Sequence, residues 1–203
     1  MSSVSGRRAF AVGVLALLAG CATEPPPLSP ADRAAVARVQ ATLAALHGFR
    51  AQFLQTGPGQ ADSVGTVWYD PGALRLDYVL PQSMAVVASG RQLVARRASD
   101  GATTRIALAA NPLGLLLAQP LRLTGGAIRI TNIQRTPGIL QVSLARADDP
   151  AQGLLTLIFA DRGRRLDLTG LEAIDRRNVR TRFHLYNEQS GLTFPPGSFT
   201  PPA

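Results

Sequence analysis

The sequence predicts a mainly β protein: a curved antiparallel sheet of about eleven short strands forming a half-open barrel, with an N-terminal helix and a short central lid helix. Three observations predict it. The apolar period is helical up to Leu46 and becomes two after Gly48. From there on, alternating runs are cut by turn residues at meander spacing. Between these runs no stretch is long enough to supply the helical crossover that parallel strands need. One run shows the pattern at its sharpest. In "DPGALRLDYVLP", residues 70–81, a Pro-Gly turn leads into Leu74, Leu76, Tyr78 and Leu80, with charged Arg75 and Asp77 between them.

Taken in chain order, residues 1–20 read as a signal peptide. They have a basic start at Arg7 and Arg8, an apolar stretch from position 9 to 19 too short to span a bilayer, and small residues before Cys21. Leu18-Ala19-Gly20-Cys21 resembles the bacterial lipobox, which makes Cys21 the expected site of lipidation. Ser5-Gly6-Arg7-Arg8-Ala9-Phe10 also resembles a twin-arginine export motif. Two arginines are equally normal in a general secretory signal, so both routes stay open. Residues 21–29 are read as a lipidated Cys and a stiff extended tether, carried by "EPPPLSP", which runs on to Pro30. Residues 30–203 then form a single domain.

Ser29 is a good N-cap, Pro30 suits the first turn, and Asp32 complements the positive helix end. Val36, Val39, Leu43 and Leu46 recur at helical spacing, with Gly48 as the expected stop. The strand runs follow in order: "FRAQFLQ", "SVGTVWYD", residues 74–80, "MAVVAS", "QLVARRA" and "TTRIAL". After an interruption come "AIRITNIQR", "GILQVSLAR", "GLLTLIFAD", "RRLDLTGLEAI" and "NVRTRFHLYN". Pro81, Gly90, Asp100-Gly101, Thr136-Pro137-Gly138, Asp148-Asp149-Pro150 and Asp161-Arg162-Gly163 mark the turns. The interruption, "NPLGLLLA", begins with an Asn cap and a Pro, then crowds Leu113, Leu115, Leu116 and Leu117 into one short helical turn. It reads either as a plug closing a barrel end or as a movable lid over an apolar cavity.

The 203 residues carry a formal charge of +8, and all 21 basic residues are arginine. These are scattered and not interleaved with aromatic residues, which points away from nucleic acid and toward a solvated basic surface. The 46% apolar and 17% charged composition excludes a disordered chain. Cys21 is the only cysteine, so no disulfide forms within one chain. His47 and His184 lie far apart in the sequence, and no HExxH, Walker loop or G-x-S-x-G occurs. The expectation is a binding protein rather than an enzyme, with no catalytic residues, no metal and no cofactor.

Several stretches, in order, resemble the outer-membrane lipoprotein carrier (LolA) family. Residues 70–81 are similar to its R-P-G-x-F-R-W-x-Y-x-x-P segment, "FRAQFLQT" to its early F-x-A-x-F-x-Q strand, and "GTVWYD" to the next strand. "VVASGRQL" is similar to its x-V-S-D-G-x-x-L hairpin, "NPLGLLLA" to its central helix, and "GLTFPPGSFTPP" to its closing tail. The resemblance implies a cavity for the acyl chains of lipoproteins or other lipids, in the bacterial periplasm. Alternation suggests Phe53, Trp68, Leu76, Tyr78, Met84, Val86, Leu115 and Leu116 as its lining. Family carriers place an Arg before the Pro-Gly, which pins the lid. Here that position is Asp70, and Arg75 is the nearby candidate for a latch. The expected partners are acylated lipoproteins or lipids, the membrane through an N-terminal lipid anchor, and an inner-membrane lipoprotein-releasing transporter or an outer-membrane receptor. Cys21 also fits the anchored receptor (LolB) of the same fold, and a regulatory partner in envelope stress is a further reading. Ala22 after Cys21, rather than the Asp that retains enteric lipoproteins at the inner membrane, favours the outer membrane.

Overall fold

The computed structural model describes residues 27–59 and 61–202; the expected signal peptide, Cys21 and most of the expected tether lie outside the described residues. Helix α1 (Pro30–Ala44) starts where expected, with the Asp32 N–H donating to Ser29 Oγ at 3.1 Å. Its buried residues Ala35, Val36, Val39 and Leu43 form the face turned to the sheet. Gly48, however, does not end the helix. It lies beyond the cap, in the left-handed region at φ +53°, where a Cβ would sit 1.8 Å from the Leu192 carbonyl oxygen. This glycine lets the start of the first strand pair with the C-terminal tail, through Leu192 N–H to Gly48 O.

Eleven strands follow: β1 (Phe49–Thr56), β2 (Ser63–Asp70), β3 (Ala73–Leu80), β4 (Met84–Ser89), β5 (Gln92–Arg97), β6 (Thr103–Ala107), β7 (Ile128–Thr136), β8 (Ile139–Arg146), β9 (Gly153–Asp161), β10 (Leu166–Asp175) and β11 (Arg180–Gln189). They make one antiparallel sheet in the order β6-β5-β4-β3-β2-β1-β11-β10-β9-β8-β7. The sheet is curved and does not close, leaving β6 and β7 as its two edges. The chain between those edges carries two short 3-10 helices, Leu108–Ala110 and Pro112–Leu117. The expected lid helix is therefore 3-10 in form, and it spans from one free edge to the other.

Alternation along β1 sets the inner face. Phe49, Ala51 and Phe53 are buried, while Arg50 and Gln52 are exposed. Register carries this face across the sheet: Phe53 opposes Gly65, Ala51 opposes Val67, and Val67 opposes Leu76. The inner face is filled in two halves. One half packs α1 on β7 to β10, with Val39, Val142, Leu144, Leu155, Leu157 and Phe159 at its centre. The other gathers β1 to β5 and β11 around Phe53, Leu76 and Phe183.

Three polar ties fix α1. Arg38 makes a bidentate pair with Asp161 at 2.7 and 2.9 Å, and Arg135 reaches Asp32 at 2.9 Å. Gln40 grips the chain after the lid, donating to Leu121 O and accepting from Leu123 N–H, both at 2.8 Å. On the outer face the C-terminal tail lies across β2 and β3, where Phe194 stacks on Trp68 at 5.7 Å and Phe199 meets Phe194 edge-on.

Candidate functional site

The two halves of the core meet beneath the leucine segment. Asn111 caps that segment by accepting from Leu113 N–H at 2.9 Å, and Pro112 starts its first turn. With three residues per turn, Leu113 and Leu116 fall on one side of a 3-10 helix. They and Leu117 close over Val67, Tyr69, Leu74, Leu76, Leu171, Phe183 and Leu185. The cavity left between them is about 30 Å³. That is roughly the volume of one water molecule. Pockets that hold organic ligands measure about 300–1,000 Å³. The leucines therefore fill the space that a ligand would need, and the structure is a closed one.

Polar links from the sheet to this segment are few. The Tyr69 hydroxyl donates to the Leu116 carbonyl at 3.5 Å, the long limit of a hydrogen bond. Deeper in, Tyr78 donates to Gln55 Oε1 at 2.6 Å and meets Phe53 edge-on with ring centres 5.0 Å apart. Burial pushes both tyrosine hydroxyls above their ordinary pKa, and for Tyr69 the Asp70 charge adds to it. Both stay neutral, with the proton available for the hydrogen bond each donates.

Of the eight residues expected to line the cavity, Leu76 and Leu116 border it. Phe53, Tyr78, Met84 and Val86 share the same inner face and pack in the cluster around it. Leu115 belongs to the other half, buried with the α1 cluster. Trp68 is on the opposite face. Its ring is covered by Phe194 and flanked by the guanidinium groups of Arg50 and Arg75 at 5.9 and 5.6 Å. The register that turns Val67 and Tyr69 inward turns Trp68 outward.

The expected latch is also displaced. Asp70 accepts from Gly48 N–H at 3.0 Å, and Arg75 bonds Asp77 at 2.9 Å and the Ser198 carbonyl at 3.2 Å. Asp70 thus fixes the glycine that pairs with the C-terminal tail, and Arg75 holds the tail itself. Restraint of the leucine segment falls instead to Tyr69 and to Gln40 at its far end. The alternation of β2 and β3 could have supplied Val67, Tyr69 and Leu74, whereas Leu171, Phe183 and Gln40 needed the long-range register.

Among the described residues, no group of three or more His, Cys, Asp or Glu side chains could hold a metal ion. No helix among them is long and apolar enough to cross a membrane. The arrangement offers burial for apolar groups.

The family model described as outer membrane lipoprotein carrier protein LolA matches residues 44–202. No curated protein sequence matches the chain. Among solved structures, an uncharacterized conserved protein from Thermus thermophilus aligns at 9% identity and TM-score 0.49, over 85% of this chain and 94% of that one. A LolA superfamily protein from Nitrosomonas europaea aligns at 12% identity and TM-score 0.47, over 83% and 96%. Since the family model spans the strands and the leucine segment that roofs the cavity, the chain belongs to the outer membrane lipoprotein carrier protein LolA family.

Proposed function

We propose that this protein takes up the acyl chains of lipoproteins in the periplasm by exchanging them for its own leucines, while tethered through a lipidated Cys21. Family membership supports a carrier-like role in binding lipoprotein or lipid. The observation that carries the mechanism is the almost wholly apolar cavity roofed by Leu113, Leu116 and Leu117. Each methylene removed from water contributes about 0.8 kcal/mol, so an acyl chain leaves a membrane only for comparable burial. Apolar walls, mostly aliphatic, give that burial with few directional bonds, and a roof held mainly by packing opens again for release. Tethering by Cys21 suits an anchored acceptor as well as a carrier, and Ala22 favours an outer-membrane position.

Native mass spectrometry of the Cys21→Ser protein, prepared from the periplasm, tests the reading. The expected result is a fraction carrying diacyl or triacyl species that a fluorescent fatty acid displaces. Protein that retains no acyl species and never competes for that fatty acid would refute it.

A further inference from the structure

A second opening interrupts the sheet itself. Pairing between β10 and β11 runs only from Gly170↔His184 to Ile174↔Arg180. Beyond it, β10 continues along β9 to Leu166↔Asp161, and β11 continues along β1 to Arg50↔Gln189. The two strands diverge into a fork, and each carries an irregularity there. In β10 the register slips between Leu168 and Gly170, with Thr169 Oγ1 bonding the Ile158 carbonyl. In β11 it slips opposite the step from Arg50 to Gln52, where Asn187 takes φ +55° and its amide donates to Gln52 Oε1. Bulges bend strands and end pairing in this way. Gly170 marks the apex, where a Cβ would stand 2.8 Å from the Phe183 carbonyl oxygen.

A cleft of about 900 Å³ lies in the fork, bounded by residues 166–169 of β10, by residues 188–190 at and just past the end of β11, and by Ala41, Thr42, Leu43 and Ala45 at the end of α1. Leu46, Phe49 and Leu168 give it an apolar floor. Leu168 packs against both halves of the core, and Leu171, farther along the same strand, borders the cavity under the leucine roof. Two facing strand edges and a floor running toward the acyl site thus occur together.

We infer that this fork receives the polypeptide that follows the acylated end of a cargo lipoprotein, as a strand added between β10 and β11. The inference rests on the acyl-binding reading above and names the part of the cargo that the reading leaves outside the cavity. A hydrocarbon chain cannot satisfy the main-chain N–H and C=O groups along the two edges, whereas an extended peptide can. At about 3.3 Å per residue, the fork takes about four or five residues. Charge gives little selectivity, because Arg162 and Arg165 at the rim both engage Asp167, and Arg164 stands with Glu188 in the same cleft. Recognition therefore reads main chain rather than sequence, as a carrier of many different lipoproteins requires. A lipoprotein bears its acyl groups on its first residue, so its peptide must leave the cavity beside the point where the chains go in.

Because Cys21 is the only cysteine, Cys21→Ser gives a cysteine-free background. In it, Gln189→Cys places a single thiol in the fork, which a bulky pyrene maleimide then fills. Binding is measured for a synthetic diacylcysteinyl peptide and for dansyl-undecanoic acid, before and after capping. The expected result is a loss of about tenfold in lipopeptide affinity, with the fatty acid unaffected. Hydrogen exchange on the Cys21→Ser protein should slow at residues 166–169 and 185–189 with lipopeptide but not with fatty acid. Unchanged lipopeptide affinity after capping overturns the inference. Equal losses for both ligands make the fork a lipid portal and also overturn it. Failure of the uncapped protein to bind the fatty acid sinks the acyl-binding reading itself.

Discussion

Truncating Leu116 to alanine tests whether the leucine roof is a competitor for the cargo or part of its binding surface. In the closed structure Leu116 is half-buried against a cavity of about 30 Å³. An acyl chain fits only after the roof moves out. Leu116→Ala removes three carbons, which at about 0.8 kcal/mol each when fully buried leaves about 1 kcal/mol at a half-buried site. The closed, empty state loses that stabilisation, while the loaded state, with the segment displaced, does not. The acyl affinity should therefore rise about fivefold. Titration of dansyl-undecanoic acid into the Cys21→Ser protein, with and without Leu116→Ala, reads the change directly. Leu115→Ala is the control. That side chain is buried in the half of the core that holds α1 and β7 to β10, not over the cavity, so its loss should lower the melting temperature by the equivalent of about 2–5 kcal/mol without tightening binding. An affinity for the fatty acid that is unchanged or weakened by Leu116→Ala would refute the exchange mechanism.

The outer face and the acid range give two further expectations. Trp68→Ala removes the ring between Phe194, Arg50 and Arg75. It should cost about 2–3 kcal/mol in a urea melt, less than a fully buried aromatic, and leave acyl affinity unchanged; a parallel loss of binding would mean that the tail is coupled to the cavity. The Asp161 carboxyl is held down at about 2, first by the Arg38 guanidinium and then by the Gly163 N–H. A lowered folded pKa contributes stability that is present above the unfolded value of 3.8 and is lost as pH falls toward 2. The melting temperature should fall through that window, and part of the fall should be missing in Asp161→Asn. Identical acid profiles for the two proteins would exclude this pair as a tie on α1.

The fold was legible wherever one face of an element is polar. Arg75 and Asp77 alternate with Leu74, Leu76 and Tyr78, so β3 has a single reading, and β1 is equally clear through Arg50 and Gln52. β2 is not, because Val67 and Tyr69 on one side face Val64 and Trp68 on the other. Its outer face is apolar because the tail covers it, a contact between residues 68 and 194 that no local pattern contains. The leucine segment shows the same limit. Its composition announces an apolar element, but only tertiary packing sends Leu115 into the α1 half of the core and Leu116 toward the cavity. Residues 70–81 carried the family resemblance, yet Asp70 and Arg75 bond Gly48 and the tail rather than the roof. Strand divergence at the fork left only Gly170 and Asn187 as traces, each an ordinary residue until the bulges are seen.

Which half of the curved sheet would open in the proposed exchange follows from how each filler is attached. Helix α1 presents four buried residues to the sheet and is fixed by Arg38–Asp161, Arg135–Asp32 and Gln40. The leucine segment crosses between two free sheet edges and has from the sheet one hydroxyl contact at 3.5 Å. Its three roofing leucines contribute about 1.5–3 kcal/mol each at full burial, less here because two are half-buried, and the exchange keeps Leu115 in the α1 half. A long acyl chain, at about 0.8 kcal/mol per methylene, gains more than that when it replaces them. Relative to water, the proposed exchange therefore favours loading while α1 stays in place. Reclosing the roof returns part of the cost when the chain leaves. A cavity that stood open would gain the full burial of the cargo and hold it; one that refills with its own leucines binds by the difference, and that difference is what allows transfer onward.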